Sequence, residues 1–115
     1  MQTAIAAEHD GGPDADRREI VRLYDELLRV LPSPVVRLNR AVAVSPVDGP
    51  SIALPLVDEL AGELERHHLW HATRGELLRR MDRRAEARSA YTAALDLAPS
   101  AAERRFLTRR LADMS

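Results

Sequence analysis

The chain has 115 residues, 45% apolar and 3% aromatic, with no cysteine, no lysine among its 17 basic residues and a formal net charge of −1. That length suits one domain whose modest core is filled by Leu, Val and Ala, and the lack of thiols excludes disulfide frameworks and thiolate metal sites. No apolar run approaches the roughly 20 residues of a membrane span and no signal peptide precedes the polar start, so a cytoplasmic protein is expected.

Residues 2–9 (QTAIAAEH) read as a short helix, and 10–14 (DGGPD) read as a loop by their turn chemistry. Asp16 is a candidate cap for a helix running to about Leu31, with the apolar stripe Ile20, Leu23, Tyr24, Leu27, Leu28 and Leu31. After Pro32, Ser33 is placed as an N-cap and Pro34 at the first helical position, where its missing N–H is harmless. That helix (VVRLNRAVAV) is expected to end before Pro46. A turn over 47–51, with Asp48 or Ser51 as cap, leads into a helix carrying Ala53, Leu54, Val57, Leu60, Ala61 and Leu64, with Pro55 in its first turns.

A break near Glu65-Arg66 opens the stretch around which the chain is organised, residues 68–99 (HLWHATRGELLRRMDRRAEARSAYTAALDLAP). It reads as helix–turn–helix. Gly75 lets the second helix approach closely, Ala87, Tyr91 and Ala94 share one face of that helix, and Pro99 stops it. A last helix from 101 to about 114 follows, with Ser100 and Glu103 as a capping box and Phe106, Leu107 and Leu111 covering the end of the stack.

The chain repeats itself. Arg40 and Ala41 fall on Arg74 and Gly75 at a spacing of 34, as Ala53, Val57 and Leu60 fall on Ala87, Tyr91 and Ala94. Going backward, Ile20, Tyr24 and Leu27 fall on Ala53, Val57 and Leu60 at a spacing of 33. This predicts two full helix pairs and a leading second-type helix, with 2–9 as its candidate partner. Arg40 and Arg74 take a place that would leave a bare cation at a helix interface, so Asp25 and Asp58, also 33 apart, are predicted as their partners, the alternative being that both arginines snorkel unpaired to solvent.

The small residue, aromatic, small residue and terminal proline of 68–99 resemble the tetratricopeptide repeat, whose period is about 34 residues. The resemblance implies an all-α, right-handed array of about six to seven antiparallel helices. It makes 1–115 one domain, with 1–12 a linker helix and loop and 13–115 the array and its capping helix. More specifically, IVRLYDELLRVLPSPVVRLNRAVAV (20–44), residues 71–98 and ERRFLTRRLADM (103–114) resemble the C-terminal extension of certain bacterial extracytoplasmic-function sigma factors. PSPVVRLNRAVAV is the most specific block, and AIAAEH (4–9) is similar to the family's linker helix. The resemblance implies the C-terminal part of a longer sigma factor, modulating transcription initiation through the sigma core domains or RNA polymerase. The domains that read the −10 and −35 elements are not in this sequence, so DNA would be reached only through them. The alternative is an independent adaptor that binds a peptide in its concave groove; a homodimer is a further association.

Chemistry is sparse. His67, His68 and His71 include a pair four residues apart, a spacing that suits a metal, but no HExxH is present and packing or surface roles are the simpler assignment. Two arginine clusters stand at Arg79, Arg80, Arg83, Arg84 and Arg88 and at Arg104, Arg105, Arg109 and Arg110. The interleaved Asp82, Glu86 and Glu103 favour salt-bridged faces and protein contact over nucleic acid. No phosphate loop, nucleophile elbow or triad is present, so no enzyme and no cofactor are expected. The candidate partner-contact residues are Asn39, Arg40, His71, Arg74, Arg79, Arg80 and Arg83. The structural set is Ser33, Pro34, Gly75, Ala87, Tyr91, Ala94 and Pro99.

Overall fold

A computed structural model describes the backbone of residues 2–114 and the side chains of residues 15–114. These residues form seven helices and no strand: α1 (Gln2–Val30), α2 (Pro34–Asp48), α3 (Pro50–Asp58), α4 (Ala61–Leu64), α5 (His68–Arg80), α6 (Arg84–Leu97) and α7 (Ala101–Asp113). Apart from the one-turn α4, each helix packs mainly on its neighbours in sequence: α1 on α2, α2 on α3, α3 on α5, α5 on α6 and α6 on α7.

Helix ends follow local chemistry. Ser33 Oγ accepts from the Val35 amide at 3.2 Å with Pro34 behind it, and Ser100 Oγ accepts from the Glu103 amide at 3.2 Å. The Glu103 carboxylate does not complete a capping box; it turns to His68 on α5, 2.9 Å away. Pro99 lies just beyond the end of α6, as expected.

Four boundaries differ from the sequence reading. First, α1 is helical through 10–14, where a loop was expected; the side chains there lie outside the described residues, and Asp16 is inside the helix rather than capping it. Glycine accepts helical angles, but two glycines at about 1 kcal/mol each and an interior proline at about 3 leave this the weakest stretch of α1. Second, α2 runs past Pro46 to Asp48. Proline's fixed φ is helical, and so near the helix end it forfeits a single bond.

Third, Gly49 alone separates α2 from α3, with φ at +94°, so neither Asp48 nor Ser51 caps. An L-side chain is strained at that φ, and glycine permits the sharp corner. Fourth, the helix expected to reach Leu64 breaks at Glu59-Leu60. The Val57 carbonyl there accepts from the Leu60 amide at 3.0 Å and from the Trp70 indole at 2.7 Å, which ties α5 to the end of α3.

The core is Leu, Val and Ala as composition implies, with Trp70 and Tyr91 as its large members. Ala53, Val57 and Leu60 and, 34 residues on, Ala87, Tyr91 and Ala94 are all essentially inaccessible. Gly75 meets Tyr91 so closely that a Cβ there would lie 2.8 Å from ring atoms. The α1 stripe departs from expectation: Ile20, Leu23, Leu27 and Leu31 are exposed, and only Tyr24 and Leu28 are half-buried. On α7, Leu107 is buried and Leu111 packs on the core, whereas Phe106 remains exposed.

Candidate interaction surface

Side chains join α2, α5 and α7 into one face. Arg80 of α5 donates to Ser45 Oγ of α2 at 3.3 Å. From α7, Arg110 Nε donates to Glu76 Oε2 of α5 at 2.7 Å, and Glu103 meets His68. Between α2 and α5 lies a shallow cleft of about 140 Å³ lined by Val42, Ser45, Thr73, Glu76, Leu77 and Arg80. Val42 and Phe106 stand exposed on these helices, Phe106 with the Arg110 guanidinium 5.1 Å from its ring centre. Apolar side chains flanked by arginine on a rigid helical floor suit a protein segment that carries apolar and acidic residues.

Glu76 holds this face together. Its carboxylate accepts from the Tyr91 hydroxyl at 2.6 Å, from Arg110 at 2.7 Å and from Arg79 at 2.9 Å, linking α5, α6 and α7. Burial alone would raise its pKa, but the hydrogen bonds from Tyr91, Arg79 and Arg110 outweigh that and hold the carboxyl below 4.5. Burial, reinforced by the adjacent Glu76, pushes the Tyr91 phenol up to about 12. Nothing in the repeat spacing marks Glu76. Its signal was chemical: an acid one residue after the tight Gly75, on a helix otherwise rich in arginine.

The candidate contact residues separate into two groups. Asn39 is exposed on α2, and Arg80 is exposed beside the cleft with one N–H given to Ser45 Oγ. Arg40, Arg74, Arg79, Arg83 and His71 are engaged within the chain. Arg40 Nε reaches Asp25 at 2.6 Å and Arg74 Nε reaches Asp58 at 2.8 Å, the two pairings drawn from the register. Arg74 also lies 5.2 Å from the Trp70 ring centre. Arg83 forms a two-bond fork with Glu86, both at 2.7 Å. A wider cleft of about 680 Å³ between α3 and the α5–α6 turn takes in Asp58, Arg74, Arg83 and Glu86, but these charges are already matched there.

The three histidines diverge. His67 caps α5 by accepting from the Leu69 amide, His68 meets Glu103, and His71 Nε2 lies 2.6 Å from the Glu65 carbonyl. Among the described residues no three His, Cys, Asp or Glu side chains converge as a metal site. Within the described residues, no helix is long and apolar enough to cross a membrane. Of the second arginine cluster, Arg110 is spoken for by Glu76, whereas Arg104, Arg105 and Arg109 form no ion pair among the described residues.

No protein-family model matches the chain. An uncharacterized protein of Rhizobium meliloti (strain 1021) is 43% identical over 114 residues, which cover 96% of this chain. The chain spans about a quarter, 27%, of that relative's length.

Proposed function

We propose that this chain is a tetratricopeptide-like interaction domain that serves a bacterial extracytoplasmic-function sigma factor, contacting the sigma core domains or RNA polymerase and so tuning transcription initiation. One observation supports the repeat reading above the others: a pair of contacts recurs at the repeat spacing. At steps of 33 and 34 residues, Asp25–Arg40 becomes Asp58–Arg74, and buried Ala41 becomes buried Gly75. Chains built this way present a continuous face of first helices, here α2, α5 and α7, and act by binding rather than by chemistry. The sigma assignment draws on the resemblance of 20–44, 71–98 and 103–114. It also accords with a relative about four times as long as the matched stretch, which leaves room for further domains in that relative.

The mechanism that fits is mechanical. A sigma core segment seated against Val42, Arg80 and Phe106 would be held in one orientation relative to polymerase, and loss of that seating would free it. The test is transcription in vitro by a full-length sigma factor carrying this domain, with Val42→Asp or Arg80→Glu. Altered promoter output with promoter affinity of the core domains unchanged supports the proposal; unaltered output in both variants refutes it. An independent adaptor that takes a peptide on the same face is the second reading. It is favoured if the isolated chain binds an apolar–acidic peptide but neither sigma domains nor polymerase.

A further inference from the structure

The face of α1 that carries Ile20, Leu23 and Leu27, continued by Leu31 just past its end, is 39–57% exposed. Sixty-seven residues on, at the sum of the two repeat spacings, stand Ala87, Ala90, Ala94 and Ala98 of α6 and its C-cap, none more than 8% exposed. Between them, half-buried Tyr24 corresponds to fully buried Tyr91. What covers the α6 face is α5, with Gly75 against the Tyr91 ring. The α1 face is therefore the same intra-pair interface without its first helix. The other end of the array is closed: Arg105 and Arg109 stand one 34-residue step beyond His71 and Gly75, and both are exposed. Charges there discourage another helix from stacking.

We infer that the α1 face is the docking surface for residues 2–9 of the same chain, in a second arrangement in which the chain turns back at 10–14. Three observations select this occupant. Ala7 stands 34 residues before Ala41, which stands 34 before Gly75, so the segment carries its small residue in register with the two that already pack a second helix. Gly11-Gly12-Pro13 is the stretch of α1 with the poorest helix chemistry. A five-residue connection suffices for an antiparallel helix pair, since α5 and α6 are joined by three residues, 81–83. Turned back, the segment lies beside α2 and lengthens the α2–α5–α7 face by one helix. The inference rests on the repeat register and is independent of any role in transcription.

Because the chain has no cysteine, a single engineered pair reads this out. In a straight α1, residues 7 and 24 are about 25 Å apart, beyond any disulfide. In the turned arrangement they take the places of Gly75 and Tyr91. The Ala7→Cys, Tyr24→Cys chain is oxidised and its mass and gel mobility are compared before and after reduction. An intramolecular disulfide in the monomer is expected. A monomer that stays reduced, or a disulfide-linked dimer showing that a second copy covers the face, overturns the inference. Leu27→Glu in the otherwise natural chain is the companion measurement, with a melting temperature lowered by several degrees expected and an unchanged one overturning the inference.

Discussion

Replacing glycine by alanine in a helix ordinarily stabilises by about 1 kcal/mol, and Gly75→Ala is expected to do the reverse. The new Cβ would lie 2.8 Å from Tyr91 Cδ1 and Cε1 and 3.1 Å from Cγ, where carbon atoms prefer roughly 3.5–4.0 Å. The ring has nowhere to go: Tyr91 is wholly buried, and its hydroxyl is fixed to Glu76 at 2.6 Å. Overpacking of this kind costs about 1–3 kcal/mol, and tilting the ring also weakens a bond to a charged acceptor. The weakened bond, at about 1 kcal/mol, offsets the propensity gain, which leaves a net destabilisation of about 1–3 kcal/mol, or a melting temperature lower by roughly 4–12 °C. Gly62→Ala is the internal control. Gly62 is helical and exposed, and its Cβ would meet nothing within 4 Å, so it should stabilise by up to about 1 kcal/mol. Urea or thermal unfolding followed by circular dichroism measures both. A Gly75→Ala protein as stable as the Gly62→Ala protein would refute the tight contact and the register built on it.

Other outcomes follow from the polar contacts. A double-mutant cycle of Arg74→Met with Asp58→Asn should show coupling of about 0.5–1 kcal/mol, modest because the side chains are 26% and 48% exposed; zero coupling would remove the pair. Glu76→Gln should destabilise by about 1–3 kcal/mol through the three donors it serves. Since the folded Glu76 pKa is depressed, its stabilisation is present above 4.5 and is lost as pH falls through the folded value. The acid limb of a stability–pH curve should therefore flatten in Glu76→Gln and be unmoved if Glu76 is unpaired. At the alkaline end, the Tyr91 phenol loses its proton near 12, so its contribution is complete below about 10 and fades from there through 12. Phenolate absorbance, compared with Tyr91→Phe, checks that value.

The fold was legible where periodicity and punctuation agreed. Over 68–114 a helix–turn–helix is found as read, α6 ends at Leu97 just before Pro99, and α7 starts at Ala101 after Ser100; the α5 and α6 ends at Arg80 and Arg84 were not placed by the sequence. The Arg40–Asp25 and Arg74–Asp58 bridges were legible too, because spacings of 34 for the arginines and 33 for the acids put one acid in register with each arginine. Proline misled. Pro46 suggests a stop, although one lost bond near a helix end is a weak penalty, and the break at Glu59-Leu60 depends on Trp70, 13 residues from the Val57 carbonyl it engages. The burial of α1 was misjudged because an apolar stripe records what a helix is able to cover, not whether a partner is present. Of the candidate contact residues, Asn39 and Arg80 are exposed, whereas the others are engaged within the chain. Glu76 was missed because its partners lie 3, 15 and 34 residues away on three helices.

The central proposal is that the α2–α5–α7 face binds protein belonging to the transcription machinery. Its most direct test is the binding of residues 1–115 to isolated sigma core domains, to RNA polymerase core and to duplex promoter DNA, measured side by side. Val42→Asp serves as the probe of the face, since Val42 is 47% exposed and its change should leave the melting temperature nearly unaltered. The proposal predicts binding to sigma domains or polymerase that Val42→Asp abolishes, with no sequence-selective binding to the duplex. Tight, sequence-selective DNA binding by the chain alone, or protein binding indifferent to Val42→Asp, would contradict it.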